Sequence, residues 1–132
     1  MVPIIATVLA ALAALLHVYI FVMESIQWTQ PRIYKRFGVP DQATADATKP
    51  LAYNQGFYNL FLAIGATLGL VLFWAGDAGS AAGIAGRALV LFSLASMAAA
   101  SLVLLSTGVK HLRAALVQGT LPLVGFVLFL FA

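Results

Sequence analysis

The sequence predicts an all-α integral membrane protein, a bundle of four transmembrane helices with its N and C termini outside. Hydrophobic residues make up 63% of the 132 positions and charged residues only 8%, whereas soluble domains carry about 25% charged residues. Four apolar stretches approach the roughly 20 residues that a spanning helix needs. These stretches use nearly the whole chain, so we expect one membrane domain over residues 1–132 and no soluble domain.

The first span is predicted at about residues 3–28. A cleaved signal peptide is the competing interpretation, with Ala11-Leu12-Ala13 as its cleavage site. A signal peptide begins with basic residues, but no Lys or Arg precedes Arg32. The apolar run also continues well past the cleavage site. We therefore expect a retained transmembrane helix.

Residues 29–50 form the one long polar segment and are predicted to be a cytoplasmic loop. Part of it has the pattern of a short helix in the headgroup layer, ended by Gly38 and Pro40. The cations of this helix would be Arg32, Lys35 and Arg36, and its apolar side would be Ile33, Tyr34 and Phe37. A plain basic loop remains the alternative. Residues 41–50 are small and polar and are expected to form a surface turn.

The remaining spans are predicted at about 51–74, 87–105 and 114–131. The first and third loops share one side of the membrane and hold every Lys and Arg except Arg87. Basic residues are retained in the cytoplasm, so both termini are expected outside. Because these cations lie in loops and not on a continuous basic face, the net charge of +3 does not predict nucleic-acid binding.

Small residues recur four positions apart in two spans. They are Ala6, Ala10 and Ala14 in the first span and Gly65 with Gly69 in the second. Such rows let helix backbones approach closely. The spacing fits packing within the bundle and a homo-oligomer seam equally well, so both interpretations stay open.

Two ionisable side chains, His17 and Glu24, lie in the first span. Positions seven apart return to nearly the same face of a helix, so both share one stripe with Phe21 between them and Trp28 one turn beyond. Placing an ionisable side chain against lipid costs free energy. We therefore expect this stripe to face protein or trapped water.

The predicted orientation brings polar residues of the second and fourth spans to the same cytoplasmic half. The candidate ligand-binding residues are His17, Phe21, Glu24, Trp28, Asn54, Gln55, Tyr58, Asn59, His111 and Gln118. Asn54 and Tyr58 share one helix face, while Gln55 and Asn59 share another about 100° away. Either only one pair lines the site or the first turn of this span is irregular.

The residue types limit the chemistry of such a site. No cysteine is present, which excludes disulfides and thiolate ligands, and no serine lies in a nucleophile elbow. No His-Glu-x-x-His motif occurs, and His17 and His111 are expected at unequal depths, so we expect neither a metal nor a haem site. The sequence leaves the identity of any cofactor unknown.

Three functions remain open for this chain. The leading hypothesis is a protein that binds or carries a small apolar or amphipathic molecule. The second is an intramembrane enzyme, isomerase-like, in which His17 and Glu24 transfer a proton on a lipid-like substrate. The third is an accessory subunit whose polar stripe pairs with a partner helix. We therefore make no prediction about enzymatic activity.

Several of these residues also form a recognisable pattern. His17 through Glu24 with Trp28, then Arg36-Phe37, then Asn54-Gln55-Gly56-x-Tyr58-Asn59 resemble the signature of the domain of unknown function 1304 family. The length and four-span layout match as well. The resemblance implies a small multi-pass protein of the bacterial inner membrane. It implies no agreed activity, substrate or cofactor.

Overall fold

A computed structural model describes all 132 residues, and every regular element in it is helical. In chain order the elements are α1 (Val2–Phe21), a π-helical segment (Val22–Ile26), α2 (Pro31–Tyr34), a 3-10 turn (Lys35–Phe37), α3 (Gln42–Ala75), α4 (Ala81–Ser106), a second 3-10 turn (Val109–His111) and α5 (Leu112–Phe129). Four helical stretches are long and apolar enough to cross a membrane. They are Val2–Ile26, Gln42–Ala75, Ala81–Ser106 and Val109–Phe129. The predicted all-α class and four membrane-capable helices are confirmed, while the orientation of the termini stays a prediction.

The start of α3 differs from its predicted position. Helix begins at Gln42, so the expected surface turn over residues 41–50 is helical. Asp41 caps this helix because its carboxylate accepts the backbone N–H of Thr44 at 2.8 Å. Pro50 lies inside the helix with its ring exposed. The 34 residues of α3 extend about 50 Å at 1.5 Å per residue, more than the roughly 30 Å of a hydrocarbon core.

The expected short helix after the first span is present as α2 and the 3-10 turn. Ile33 and Tyr34 are buried, while the three cations of this segment are exposed. The segment ends at Gly38, whose φ of 77° is left-handed, a conformation that glycine adopts without strain. The two predicted faces therefore exist, and the location of this helix in a headgroup layer stays a prediction.

The chain packs as two compact units, the first made of Met1–Leu16 with Leu62–Ala132 and the second of His17–Phe61. The core of the first unit is built largely from small residues of α1 and α3 against larger ones of α4 and α5. Its buried members are Ala6, Ala10, Ala13, Ala14, Ala63, Ala66, Val90, Leu94, Met97 and Phe129. Rows of small residues are thus used for packing within the chain.

Glycines allow close helix contacts in the first unit. A Cβ on Gly69 would lie 2.8 Å from the backbone nitrogen of Val90, and one on Gly119 would overlap the Ser101 side chain. In the first turns of α4, Arg87 donates hydrogen bonds to the backbone carbonyls of Leu130 and Ala132 at 2.6 and 2.8 Å. Arg87 thereby satisfies carbonyls after α5 that no helical N–H reaches.

The second unit contains the end of α1, the π-helical segment, α2 and the first half of α3. Its central contact is Trp28, which is buried and donates its indole N–H to the carbonyl of Ala45 at 3.0 Å. The Trp28 ring also lies 5.2 Å from the ring of Phe37. These contacts join the loop to the N-terminal turns of α3.

Candidate functional site

The candidate site lies in the second unit, at a π-helical segment that hydropathy did not predict. The backbone N–H of Gln27 bonds to the carbonyl of Val22 at 3.0 Å, five residues back instead of four. Such wide turns are rare and occur frequently at functional sites. This one contains Glu24, the only glutamate in the chain. The irregular backbone and the charged side chain therefore coincide.

Glu24 is partnered by α3. The amide of Asn59 donates to the Glu24 carboxylate at 3.0 Å and also to the backbone carbonyl of Gln55 at 3.1 Å. The amide nitrogen of an asparagine has two hydrogens, so both are used and the Asn59 side chain is held in one orientation. Glu24 is half-buried, so the protein does not completely enclose this residue.

A glycine lets the π-helical segment approach α3. A Cβ added to Gly56 would overlap the Ser25 hydroxyl and lie 3.1 Å from the Cβ of Glu24. Ser25 itself donates to the backbone carbonyl of Tyr53 at 2.8 Å. Sequence reasoning missed Ser25 and Tyr53, because a serine beside Glu24 carries no signal of its own. The Ser25 hydrogen bond and the close approach of Gly56 thus hold the π-helical segment against α3.

His17 is completely buried, with 0% of its surface exposed. The expectation that this stripe faces protein and not lipid therefore holds for the imidazole. A polar ring enclosed in this way is costly in an apolar span unless its nitrogens are satisfied by neighbouring groups.

Four aromatic rings of α1 and α3 contact one another in the second unit, and we call Phe21, Tyr53, Phe57 and Phe61 the aromatic cluster. The ring of Phe57 lies 5.1 Å from that of Phe21, 4.9 Å from Tyr53 and 6.1 Å from Phe61. The contact with Phe21 is edge-to-face, a favoured arrangement for aromatic pairs. Tyr53 and Phe61 are more than half exposed, so the cluster presents an open apolar surface. Of its members, the sequence singled out Phe21 alone.

The other predicted site residues of α3 have exposed side chains. They are Asn54, Gln55 and Tyr58. The helix is regular from Gln42 onward, so an irregular first turn does not bring both pairs inward. The face that carries Gln55 and Asn59 is the one that contacts Glu24, through the Asn59 amide and the Gln55 carbonyl.

Three predicted residues have other surroundings. Trp28 is buried with its N–H bonded to Ala45, so its contacts are those of a structural anchor. His111 ends the second 3-10 turn and Gln118 lies on α5, both half-buried and both in the first unit. Their participation in the site stays a prediction. No group of three or more His, Cys, Asp or Glu side chains that could hold a metal ion is present.

The first unit contains an apolar groove of about 140 Å³ between α4 and α5. Ser101 and Thr120 are among its lining residues, and each hydroxyl donates to a carbonyl of its own helix. Ser and Thr bond in this way in apolar surroundings without any functional role. The groove therefore lacks the convergent polar groups that the Glu24–Asn59 pair provides.

Comparison with known proteins gives one match. The model of the family described as Protein of unknown function (DUF1304) matches residues 11–130. Searches of the curated proteins and of the solved structures found no match. The matched range includes every residue of the candidate site.

Proposed function

The chain belongs to the DUF1304 family of proteins of unknown function, and we propose that it is a multi-pass membrane protein that binds or carries a small amphipathic molecule. The observation that carries this proposal is the hydrogen bond between Glu24 and Asn59 at a π-helical segment. A carboxylate in a membrane-capable helix is costly and is kept where it serves a pathway or a ligand. We place the protein in the bacterial inner membrane, with the site in its cytoplasmic half.

The polar end of the ligand binds at Glu24. The carboxylate accepts one hydrogen bond from Asn59 and retains capacity for more, since an ionised carboxylate accepts about four. A hydroxyl or amine of the ligand supplies the missing donors. His17 is more buried than Glu24. We therefore assign His17 to the inner end of the site, where it orders the groups around the carboxylate.

The apolar part of the ligand packs on the aromatic cluster. More than half of the surface of Tyr53 and of Phe61 is exposed. Both rings contact Phe57, which in turn contacts Phe21. A ligand site typically combines an apolar wall with a few directed polar groups. The aromatic cluster is the wall in this proposal, and Glu24 with Asn59 supplies the polar groups.

Native mass spectrometry of the full chain extracted in a mild detergent tests this proposal. We expect a bound molecule that is lost in Glu24→Gln and weakened in Asn59→Ala. Two matched controls should retain it: Asp77→Asn, which changes a loop carboxylate in the same way, and Gln42→Ala, which removes an exposed α3 amide that bonds to Asp46 and not to Glu24. Equal occupancy in the wild type and Glu24→Gln would contradict the proposal.

The same preparation separates the rival functions. An intramembrane enzyme would convert an added molecule into a product that accumulates with time, and Glu24→Gln would abolish that accumulation. An accessory subunit would release a polypeptide and no small molecule. Either result would replace the binding proposal with the corresponding alternative.

A further inference from the structure

A second polar contact of the second unit lies apart from the proposed ligand site. Arg36 donates from its guanidinium to the hydroxyl of Tyr19 at 3.1 Å. Tyr19 belongs to α1, inside the first membrane-capable stretch, and 47% of its surface is exposed. The hydroxyl is a neutral acceptor, so this bond fixes the position of the guanidinium without compensating its charge. A held cation therefore adjoins an exposed face of a membrane-capable helix.

Two further cations lie on the same short helical segment. Arg32 and Lys35 are exposed, and Arg32 donates to the side-chain oxygen of Gln30 at 3.0 Å, again a neutral acceptor. The opposite side of the segment, Ile33 and Tyr34, is buried. Burial of that side directs the cations outward, so three uncompensated positive charges occupy one surface.

An exposed part of α1 lies beside this surface. Val18 and Tyr19 are neighbours on α1, and both side chains are exposed. In a spanning helix this face meets acyl chains. A ligand that carries an anionic head on a hydrocarbon chain complements both parts at once.

We propose that Tyr19, Arg32, Lys35 and Arg36 bind the headgroup of an anionic phospholipid, with its acyl chains against Val18 and the ring of Tyr19 on α1. The planar guanidinium of arginine matches phosphate oxygens geometrically, and the Tyr19 hydroxyl is the positioning group for Arg36. This lipid site is independent of the proposed small-molecule function, because it uses none of the groups that contact Glu24.

The test is a native mass spectrometry titration of the purified full chain in a neutral detergent. Dioctanoyl phosphatidylglycerol is the probe and dioctanoyl phosphatidylcholine the zwitterionic control. We expect Arg36→Gln to weaken phosphatidylglycerol binding by about tenfold, equivalent to about 1.4 kcal/mol. Tyr19→Phe, which removes only the hydroxyl, should weaken it by about threefold. Arg113→Gln, which removes an exposed charge of the first unit, should change it by less than about twofold.

Two measurements on the wild type keep the test decisive if a variant fails to fold. Salt near 1 M, where the screening length falls to about 3 Å, should weaken phosphatidylglycerol adducts and leave phosphatidylcholine adducts unchanged. Glycerol 3-phosphate should not compete, because it lacks acyl chains. Equal binding of the two lipids, equal losses in Arg36→Gln and Arg113→Gln, or efficient competition by glycerol 3-phosphate would each overturn the proposal.

Discussion

Trp28 donates its indole N–H to the backbone carbonyl of Ala45, and the two groups are 3.0 Å apart. Ala45 is completely buried and lies on the first turns of α3, while Trp28 follows the π-helical segment. This single bond joins two stretches of chain 17 residues apart. It holds the start of α3 against the segment that presents Glu24. Trp28 therefore has a structural role beside the candidate site.

Replacing Trp28 by Phe should therefore destabilise the protein. The substitution removes a buried hydrogen bond and leaves unfilled volume beside Phe37, and we expect a loss of about 1 to 3 kcal/mol in the free energy of unfolding. Unfolding by SDS titration in mixed micelles measures it. Trp74→Phe is the matched control, since that indole donates to Thr7 but is more than half exposed. An equal loss in both variants would contradict the anchoring role of Trp28.

A methyl group at position 56 should displace the π-helical segment. The Cβ of Gly56→Ala overlaps the Ser25 hydroxyl, which can turn away only by giving up its bond to the Tyr53 carbonyl. The Cβ of Glu24 blocks movement on the other side. We expect a loss of about 1 to 3 kcal/mol in the free energy of unfolding. The same SDS titration measures this loss.

Gly79→Ala is the control for Gly56→Ala, because a Cβ there meets nothing within 4 Å. It should leave the unfolding free energy unchanged to within about 0.5 kcal/mol. The double change Gly56→Ala with Ser25→Ala should recover part of the loss, since it removes the overlapping hydroxyl. A double variant no more stable than Gly56→Ala alone would show that the Ser25 contact is not the cause.

The stability of the N-terminal cap of α3 should depend on pH. The backbone N–H of Thr44 bonds to the Asp41 carboxylate and holds its pKa below the ordinary value of 3.8. A lowered pKa in the folded chain means that the stabilisation is present above the unfolded pKa and is lost as the pH falls through the folded one.

Amide exchange measures this pH dependence. The protection factor of the Thr44 amide should decrease as the pH is lowered from about 6 toward 2. Asp41→Ala should begin with low protection that no longer changes over this range. Asp77→Ala, a loop carboxylate, should behave like the wild type. A wild-type profile that matches Asp41→Ala would rule out a role for the carboxylate.

The helical class and the number of membrane-capable helices could be predicted from the sequence, because both depend on summed hydropathy. The start of α3 could not be predicted in the same way. Residues 42–50 lack apolar periodicity, and Pro50 suggests a break. Three alanines and the Asp41 cap favour helix there, and Trp28 supplies the tertiary contact that hydropathy cannot report.

The level at which Glu24 meets α3 was predictable from the sequence, but the contact itself was not. Loop charges placed Glu24 at the level of residues 54–59, and the structure bonds it to Asn59. Which face of α3 meets Glu24 depends on how each of the two helices is rotated about its own axis. The sequence does not determine this rotation, because α3 carries polar residues on both faces. The π-helical turn alters that rotation further, and a five-residue hydrogen bond has no hydropathy signature in a uniformly apolar stretch.

The strength of the Glu24–Asn59 contact is the last prediction, and a double-mutant cycle measures it. Glu24→Ala, Asn59→Ala and the double variant give the coupling free energy directly. Side-chain hydrogen bonds between membrane helices average about 0.6 kcal/mol and reach about 1.7 kcal/mol. We expect a value toward the upper end, because the Asn59 amide is already oriented by the Gln55 carbonyl.

The exposed pair Gln30 and Arg32 is the control and should couple by less than about 0.5 kcal/mol. Equal coupling in both pairs would mean that Glu24 and Asn59 meet in a solvated setting, and it would remove the energetic reason for placing a ligand's polar group there.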